Sequence, residues 1–432
     1  MKSIIFAVFK KIIGSKGFEL YKSFKSERRR QDLRKAKGYL YHQGEILERV
    51  TAMNVKKIVF FVLNMDMWKY DGLIHLLNND ERFDITIISF DMPQLDSQNS
   101  KKHQKQISEY CRQNGLKFIP GYDYRSGKFA DISSLNPDIV SYTQPYNNGY
   151  TPWLIDAFKD NSLFIYTPYG ASVAEGRYFH DTYLTNIAWK VFVGSEMEKD
   201  YINKCLSVNS NNQVVTGYPI YDRLCNPKKE MNPWHSQKKK VIWAPHHSID
   251  NRYSFSSSNF ERICYQMIIL AKEFEDKIEF AFKPHPMLKE RLIEKWGREK
   301  TEEYYCNWMT MPNTFISEGD YAELFAYSDG LIHDCGSFVC EYLLTGKPAL
   351  YVVRDSSIPE SVNNENGIQC FNQHYHALGI EEIENFLLHN ILKGEDPLKD
   401  QRTSFVNNSL LPPGGYSVGQ NMMNELLKLI NK

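Results

Sequence analysis

The stretch Lys57-Ile58-Val59-Phe60-Phe61-Val62-Leu63 is an uninterrupted apolar run, and its length is that of a β-strand buried on both faces. Further apolar runs recur along the chain and are separated by polar stretches of helical length, such as 101–114. These runs span 84–90, 137–142, 163–167, 190–194, 240–245, 278–284, 330–334 and 348–353. Strands that alternate with helices at this spacing predict an α/β fold with parallel sheets.

The length of the chain and one break in this alternation predict two domains. The chain has 432 residues, whereas a single domain commonly takes about 150. The break is the polar stretch 226–233, which contains two prolines. We therefore expect a basic amphipathic extension over residues 1–50, an N-terminal α/β domain over 51–230 and a C-terminal α/β domain over 231–432. Two Rossmann-like domains that face a cleft bind ligands outside the carboxyl ends of their strands.

Charge and composition argue against several classes of protein. The 52 basic side chains are balanced by 52 acidic ones, and a nucleic-acid binder needs a basic surplus to neutralise phosphates. Charged residues make up 24% of the chain, close to the usual share in globular proteins, which argues against wholesale disorder. The eight cysteines include no CxxC pair, which predicts reduced thiols in a cytoplasmic protein.

The first 37 residues are strongly basic, with twelve Lys or Arg against three Asp or Glu. Residues 1–13 are apolar with interspersed lysines, but they lack the cleavage site of a signal peptide, and no run approaches the roughly 18 apolar residues that span a bilayer. This pattern predicts an amphipathic helix on an anionic membrane surface, and hence a cytoplasmic protein peripheral on the inner face of the bacterial membrane. The alternative is a solvated, partly disordered basic tail.

Histidines follow two of the predicted strands of the C-terminal domain. His246 and His247 follow a proline at the end of one strand, and His285 stands between Pro284 and Pro286 at the end of another. Because proline fixes the local backbone, these imidazoles are held near the carboxyl ends of strands. There they can act as general acid, general base or hydrogen-bond donor to phosphate. The alternative is that they are turn histidines that cap the local backbone.

A third strand of this domain leads through Asp334-Cys335-Gly336-Ser337 into an apolar helix. Gly336 permits close approach of another backbone, and Ser337 is a natural N-cap. Because a helix N-terminus favours anions, we expect a phosphate or diphosphate here, with ribose hydroxyls near Glu341. Glu341 has the alternative role of a cap or helix-dipole carboxylate. The predicted nucleotide- and diphosphate-binding residues are Lys283, Asp334, Gly336, Ser337 and Glu341.

The N-terminal domain is expected to bind the acceptor. Trp68 and Lys69 follow its first strand, Gln144 and Tyr146 follow the strand at 137–142, and Arg177 lies further along the chain. Aromatic faces combined with amides and cations suit a polyol, a sugar or a phosphodiester chain. The alternative is that Trp68 and Tyr146 simply pack at an interdomain surface.

Together these motifs resemble those of the CDP-glycerol glycerophosphotransferases, which include teichoic-acid primases and polymerases and relatives that build capsules. The resemblance covers roughly residues 160–355 and rests on Val193-Gly194-Ser195-Glu196, Val215-Thr216-Gly217-Tyr218-Pro219, Ala244-Pro245, His285-Pro286, Ser328-Asp329, Asp334-x-Gly-Ser and Gly346-Lys347-Pro348. It implies a glycosyltransferase-B fold with the nucleotide bound mainly by the C-terminal domain. It also implies transfer without a metal or other cofactor, assisted by two histidines across the cleft. The sequence contains no Asp-x-Asp pair, which agrees with a diphosphate that carries no divalent metal.

The sequence departs from that family at one position that matters for chemistry. Family polymerases carry a Trp-His-Gly-Thr segment whose histidine is the presumed base, whereas the corresponding segment here, 166–171, has Tyr169 in that place. A phenol is a poor base at neutral pH. One alternative is that another group, such as His246 or His247, takes the proton. The other is that this branch performs different chemistry. The predicted catalytic residues are His285, His246, His247 and Tyr169, with no metal ligand.

The leading functional hypothesis is transfer of an alditol phosphate, glycerol or ribitol phosphate, from a CDP-activated donor to a lipid-linked or polymeric cell-surface glycan at the membrane. The alternative is a nucleotide-sugar-dependent glycosyltransferase of capsule or surface polysaccharide synthesis. A non-hydrolysing nucleotide-sugar epimerase and a non-catalytic binding module are further hypotheses with the same fold. None of the four involves nucleic acid.

Overall fold

The computed structural model describes residues 27–146, 154–250 and 258–430, except residue 28 and the side chains of 94–96 and 133. The strands are β1 Lys56–Val62, β2 Phe83–Ser89, β3 Lys117–Ile119, β4 Tyr122–Asp123, β5 Lys128–Phe129, β6 Ile139–Tyr142, β7 Leu163–Tyr166, β8 Lys190–Val193, β9 Gln213–Val215, β10 Lys239–Ala244, β11 Ile278–Phe282, β12 Thr314–Ile316, β13 Gly330–His333, β14 Ala349–Val352 and β15 Tyr375–Ala377.

The α-helices are α1 29–52, α2 Asp71–Asn78, α3 Pro93–Gln113, α4 Arg177–His180, α5 Tyr183–Ile187, α6 Glu196–Cys205, α7 Ile220–Cys225, α8 Phe260–Glu273, α9 Leu288–Trp296, α10 Arg298–Thr310, α11 Ala322–Tyr327, α12 Phe338–Glu341, α13 Glu365–Phe371, α14 Ile380–Asn385, α15 Lys399–Ser409 and α16 Val418–Leu427. Short 3-10 turns occupy Met65–Met67, Ser133–Leu135, Ile155–Ala157, Lys229–Met231, Tyr342–Thr345, Glu360–Val362 and Pro413–Gly415, and a π-helical stretch spans Phe386–Leu392. No helix among the described residues is both long enough and apolar enough to cross a bilayer.

The chain divides into two compact α/β units. The first unit contains the described residues up to Gly170, then Gly176–Asp222, and then the chain from Pro412 onward. The second unit contains Ala171–Glu175 and Arg223–Leu411.

The first unit is built on a parallel seven-stranded sheet with the order β3-β2-β1-β6-β7-β8-β9. Its central strand β1 pairs with β2 on one side and with β6 on the other. Six of the seven β1 residues are buried, which explains why this sequence is apolar without alternation. Strands β4 and β5 form a separate antiparallel pair.

The second unit is built on a parallel six-stranded sheet with the order β12-β11-β10-β13-β14-β15. Strand β10 lies between β11 and β13, so the carboxyl ends of these three strands lie side by side. The segments that follow them carry the predicted histidines and the Asp334–Ser337 loop. The doubly wound α/β architecture predicted for each half is confirmed.

Helix α1 is part of the first unit. Ala36, Tyr39, Ile46 and Val50 recur along one face of the helix and are buried in the core of that unit. The Tyr39 hydroxyl also donates a hydrogen bond to the carbonyl of Ser162, at 2.8 Å. Because of this apolar face, the described part of the predicted extension packs as a core helix. Residues 1–26, on which the membrane prediction mainly rests, lie outside the described residues.

Helix α16 belongs to the first unit, whereas the sequence predicted that the C-terminal domain continues to residue 432. The Asp222 carboxylate accepts hydrogen bonds from the backbone N–H groups of Val418 and Gly419, at 2.7 and 2.8 Å. Gly419 and Gly72 lie so close that a β-carbon on Gly419 would be 2.3 Å from the carbonyl carbon of Gly72. This pair of glycines lets α16 pack directly against α2.

Candidate functional site

The histidine cluster of the second unit consists of His246, His247 and His285. The ring centroid of His247 lies 4.2 Å from that of His246 and 4.0 Å from that of His285. The ring centroids of His246 and His285 are 5.1 Å apart. The cluster forms because β10 and β11 are parallel neighbours and the histidines follow their carboxyl ends. The backbone N–H of His285 also donates to the carbonyl of Pro245, at 3.1 Å, and so joins the two segments.

The backbone determines which ring nitrogen of His246 and His285 carries the proton. The N–H of Ser248 donates to Nδ1 of His246 at 3.3 Å, and the N–H of Met287 donates to Nδ1 of His285 at 3.2 Å. A backbone N–H is always a donor, so each Nδ1 is an acceptor and the neutral ring carries its proton on Nε2. Both side chains therefore offer an N–H group as their remaining polar contact.

Burial keeps all three imidazoles neutral at physiological pH. It lowers the pKa of His246 to about 3 and that of His285 to about 4, with further lowering from His285 at the former and from Lys283 at the latter. Burial also lowers the pKa of His247 well below its usual range, with smaller effects from the other two histidines and from Arg291. In the free protein these rings are hydrogen-bond donors and not acids.

Two buried cations flank the histidine cluster. Lys283 donates from Nζ to the carbonyl of Gly319 at 2.7 Å, and its Nζ lies 5.3 Å from the ring centre of Tyr321. Arg291, on α9, is also buried and is close enough to influence His247 electrostatically. Arg291 also pairs with Glu294, at 3.7 Å. Neutral N–H donors close to two buried cations favour an anion.

The same three histidines have the spacing of a metal-binding group, since one nitrogen from each lies within 4.8 Å of the others. Coordination through Nε2 requires the proton to move to Nδ1, and Nδ1 of His246 and of His285 already accepts a backbone N–H. The positive charges of Lys283 and Arg291 also repel a metal cation. The chemistry of this cluster therefore fits phosphate oxygens better than a metal ion.

Asp334, predicted to contact the nucleotide, is instead a buried acceptor for backbone groups. One carboxylate oxygen accepts from the N–H of His246 at 2.6 Å and the other from the N–H of Asn259 at 2.5 Å. Its side chain is 3% exposed, and burial raises its pKa to about 6. Both oxygens are thus engaged by backbone groups of the protein, and a contact of Asp334 with the nucleotide stays a prediction.

The predicted helix N-terminus at Ser337 is also different. Ser337 has helical backbone angles, φ −59° and ψ −31°, and its side chain makes no capping hydrogen bond. Helix α12 is a single turn, so the aligned peptide dipoles are few. At Gly336 a β-carbon would lie 3.2 Å from the carbonyl oxygen of Ser361 and 3.3 Å from Val173. Gly336 therefore accommodates protein neighbours. The structure does not support Ser337 as an N-cap, and phosphate binding at this turn stays a prediction.

Glu341 lies beside Lys283 through a shared neighbour. The Tyr321 hydroxyl donates to a carboxylate oxygen of Glu341 at 2.5 Å, and the same aromatic ring lies under the Lys283 ammonium. Glu341 is buried, and its contact with ribose stays a prediction. Tyr321 was not predicted from the sequence, since nothing in the sequence around it distinguishes it from a core tyrosine.

Two of the predicted acceptor residues are structural. Trp68 is 5% exposed and donates from Nε1 to Asp71 and to the hydroxyl of Tyr110, at 3.0 and 3.1 Å. Gln144 is buried and holds the backbone of Tyr146 through both ends of its amide. Trp68 thus packs within the core of the first unit. Gln144 holds the backbone of Tyr146 in position.

The remaining acceptor candidates and Tyr169 lie in the first unit and are more accessible. Tyr169 is 38% exposed and is hydrogen-bonded to the hydroxyl of Tyr146, whose pKa is raised, mainly by burial. Arg177 donates to the Ser207 hydroxyl at 2.8 Å and lies 3.4 Å from the Asp181 carboxylate. Lys69 is partly buried. The structure thus brings Tyr146 and Tyr169 together in one unit and the three histidines together in the other.

Arg291 was missed by the sequence analysis. A signal was available, because it stands six residues after His285, on the helix that begins just beyond the His-Pro turn. A cation in the first turns of a helix next to fixed histidines is a usable indicator of an anion site.

Part of this chain is similar to a known family of transferases. Residues 176–360 match the model of the CDP-glycerol:poly(glycerophosphate) glycerophosphotransferase family. No curated protein gives a match to the sequence. The match includes the histidine cluster, Lys283, Arg291 and Glu341, and it confirms the resemblance predicted from the motifs.

Solved structures share the fold at low sequence identity. The wall teichoic acid polymerase TagF superposes with a TM-score of 0.56 at 13% identity, covering 95% of this chain and 97% of the TagF chain. S. aureus MnaA in complex with UDP gives 0.53 at 13% identity, covering 88% of this chain and 98% of MnaA. A UDP-N-acetylglucosamine 2-epimerase gives 0.52 at 15% identity, covering 87% and 96%.

The fold and the family match together define a transferase built on the glycosyltransferase-B fold. The part of this chain that resembles the CDP-glycerol glycerophosphotransferases is the part that carries the histidine cluster.

Proposed function

We propose that this protein transfers an alditol phosphate, glycerol or ribitol phosphate, from a CDP-activated donor to a lipid-linked or polymeric cell-surface glycan. The observation that carries the proposal is the placement of neutral imidazole N–H groups between the buried cations Lys283 and Arg291, within residues that match the glycerophosphotransferase model. A solved structure of a TagF variant was obtained after soaking with CDPG, and it shares this fold with a TM-score of 0.54 at 12% identity.

In this reaction an acceptor hydroxyl attacks the phosphorus that carries the alditol, and the bond from that phosphorus to the CMP oxygen breaks. Negative charge then develops on the departing CMP phosphate. The Nε2–H groups of His246 and His285 are available to donate to such oxygens, and Lys283 and Arg291 offset their charge. Hydrogen bonds from the two Nε2–H groups stabilise such an anion, because a hydrogen bond to a charged oxygen is stronger than one to a neutral acceptor. The neutral histidines thus act as hydrogen-bond donors to the departing phosphate, and each Nδ1 keeps its backbone N–H.

We propose that this charge stabilisation operates without a metal ion or other cofactor. Support comes from the Nε2–H tautomer of His246 and His285 and from the buried cations Lys283 and Arg291. The group that accepts the proton of the acceptor hydroxyl is a separate matter. Tyr169 is exposed in the first unit and has the position for contact with an acceptor, but a phenol is a weak base at neutral pH.

We also propose that the acceptor is reached at the inner face of the cytoplasmic membrane. Support comes from the basic, partly apolar sequence of residues 1–26, which carries six lysines against one glutamate. Such a segment is attracted to anionic lipids.

The test of donor class is the effect of nucleotides on the melting temperature. A ligand that binds only the native state raises its stability by RT ln(1 + [L]/Kd), about 2.7 kcal/mol at 100 times Kd. We expect CDP and CMP to raise the melting temperature and UDP and GDP to leave it nearly unchanged at equal concentration, with and without EDTA. A larger shift with UDP would contradict the proposal and favour a nucleotide-sugar transferase. Loss of the CDP shift in EDTA would contradict the metal-free site.

A further inference from the structure

Asp334 occupies a position that neither the sequence motifs nor the proposed reaction explains. It follows β13 and is buried, with each carboxylate oxygen engaged by a different backbone N–H group. The two N–H groups belong to His246 and Asn259, so a single side chain joins the two ends of the segment 247–258.

The hydrogen bonds around this carboxylate continue to the ring of His246. The Ser248 N–H and hydroxyl contact Nδ1 of His246 at 3.3 and 2.9 Å, and the carbonyl of Ser248 accepts from the Ser258 N–H at 3.4 Å. Two contacts thus join the backbone of residues 246–248 to that of 258–259. One is the Asp334 carboxylate, which binds the N–H groups of His246 and Asn259, and the other is the hydrogen bond between Ser248 and Ser258. The orientation of the His246 ring depends on these ties.

We propose that Asp334 is a positioning residue: its carboxylate fixes the backbone at His246 and at Asn259, and thereby fixes the His246 ring and its tautomer against His247 and His285. The inference rests on the proposed function for the purpose of the cluster. Its test needs neither donor nor acceptor, however, so the two can fail separately.

The surroundings of Asp334 make this anchor sensitive to charge. The groups that face it are the His246 and Asn259 N–H groups, Ser258, the Tyr351 hydroxyl at its carbonyl, the Cys335 thiol and the Arg354 guanidinium. Burial raises the pKa of Asp334 to about 6, and the hydrogen bonds and Arg354 lower it by smaller amounts. Protonation between pH 7 and 5 removes the charge that strengthens both backbone bonds.

The experiment compares Asp334→Asn with the unmodified full-length chain. In the variant one oxygen becomes an NH₂ group that faces a backbone N–H, so one of the two bonds is lost. Amide hydrogen exchange is expected to accelerate by about 10- to 150-fold at whichever of His246 and Asn259 loses its bond, the usual effect of losing a hydrogen bond to a charged group, and by less at the other, whose acceptor is now neutral. In ¹⁵N histidine spectra we expect His246 to leave its single Nε2–H tautomer, because its backbone is no longer fixed relative to Ser248.

The matched control is Asp138→Asn. Asp138 is also a buried carboxylate that accepts a backbone N–H, from Lys57 at 3.0 Å, but it lies in the first unit. The Asp138→Asn variant should leave the amide hydrogen exchange and the tautomer of His246 unchanged. The buried His374 serves as an internal reference for folding of the second unit.

Unchanged His246 spectra in a folded Asp334→Asn protein would overturn the proposal. If that variant does not fold, the unmodified protein decides. Lowering the pH from 7 to 5 should then accelerate exchange at His246 and Asn259, after correction for intrinsic rates, while His374 stays protected. Equal protection at both pH values would overturn the proposal as well.

Discussion

His246 and His285 each accept a backbone N–H at Nδ1, so each neutral ring offers an N–H group at Nε2. A ring that accepted nothing at Nδ1 would be free to present a lone pair at Nε2 and to ligate a metal. Here both rings present N–H groups, and Lys283 and Arg291 lie near them. The proposed preference for an anion over a metal ion thus rests on the backbone N–H groups of Ser248 and Met287.

Replacement of His285 by alanine is expected to reduce the rate of transfer far more than the affinity for nucleotide. If the ring stabilises charge on the departing phosphate, its interaction is strongest in the transition state, and such contributions are typically worth about 10²- to 10⁴-fold in rate. The measurements are kcat from CMP release and Kd for CDP, after the melting curve has been checked. His389→Ala, at a partly exposed histidine paired with Glu395, is the control and should retain full activity. Normal turnover by a folded His285→Ala protein would assign this ring a structural role.

Residue-level prediction from sequence succeeded where the backbone fixes a side chain and failed where burial decides its partners. The prolines beside His246 and His285 indicated two fixed imidazoles at strand ends, and the structure brings them together. Trp68, Asp334 and Ser337 were placed at a binding surface, yet the first two are buried and the third caps nothing. Whether a polar group points into the protein depends on residues distant in sequence, such as Asn259 for Asp334. No local pattern contains that information.

At the scale of elements, the apolar runs located the long strands to within one or two residues. The run 57–63 corresponds to Lys56–Val62, and 278–284 to Ile278–Phe282. The edge strands β3, β9, β12 and β15 were not predicted, because three residues cannot display a period. Edge strands are also less buried, so their sequences lack the continuous apolar character of β1.

The contact between α16 and α2 gives a prediction at this scale. In Gly419→Ala the new methyl group would lie 2.3 Å from the carbonyl carbon of Gly72, and a shift of α16 away from α2 would strain the hydrogen bonds from Val418 and Gly419 to Asp222. We expect the free energy of unfolding to fall by about 1–3 kcal/mol or more, the usual cost of overpacking. The measurement is chemical denaturation followed by tryptophan fluorescence.

Gly44→Ala is the matched control for that experiment. Gly44 lies in α1 of the same unit, and a β-carbon there would meet no atom within 4 Å. Alanine is favoured over glycine in a helix interior by about 0.5–1 kcal/mol, so this variant should be neutral or slightly stabilised. Equal stability of the two variants would show that α16 does not pack closely on α2.

At the scale of the whole molecule, removal of residues 1–26 tests the proposed attachment to the membrane. The deletion stops short of α1, whose buried face belongs to the first unit. We expect the shortened protein to lose sedimentation with vesicles that contain anionic lipid, since each basic residue near such a surface contributes up to about 1 kcal/mol. Its melting temperature and the shift produced by CDP should be unchanged. Equal sedimentation of both proteins would assign membrane contact to another part of the chain.

The return of α16 also has a consequence for the order in which the protein can be made. During synthesis an N-terminal domain generally folds first, as a unit, while the rest of the chain is still being translated. Here Met422, Met423, Leu426 and Leu429 complete the core of the first unit. The core of that unit is therefore completed only when residues 412–430 are available, whereas the second unit ends at Leu411. The half of the protein that is translated first is thus the half whose core is completed last.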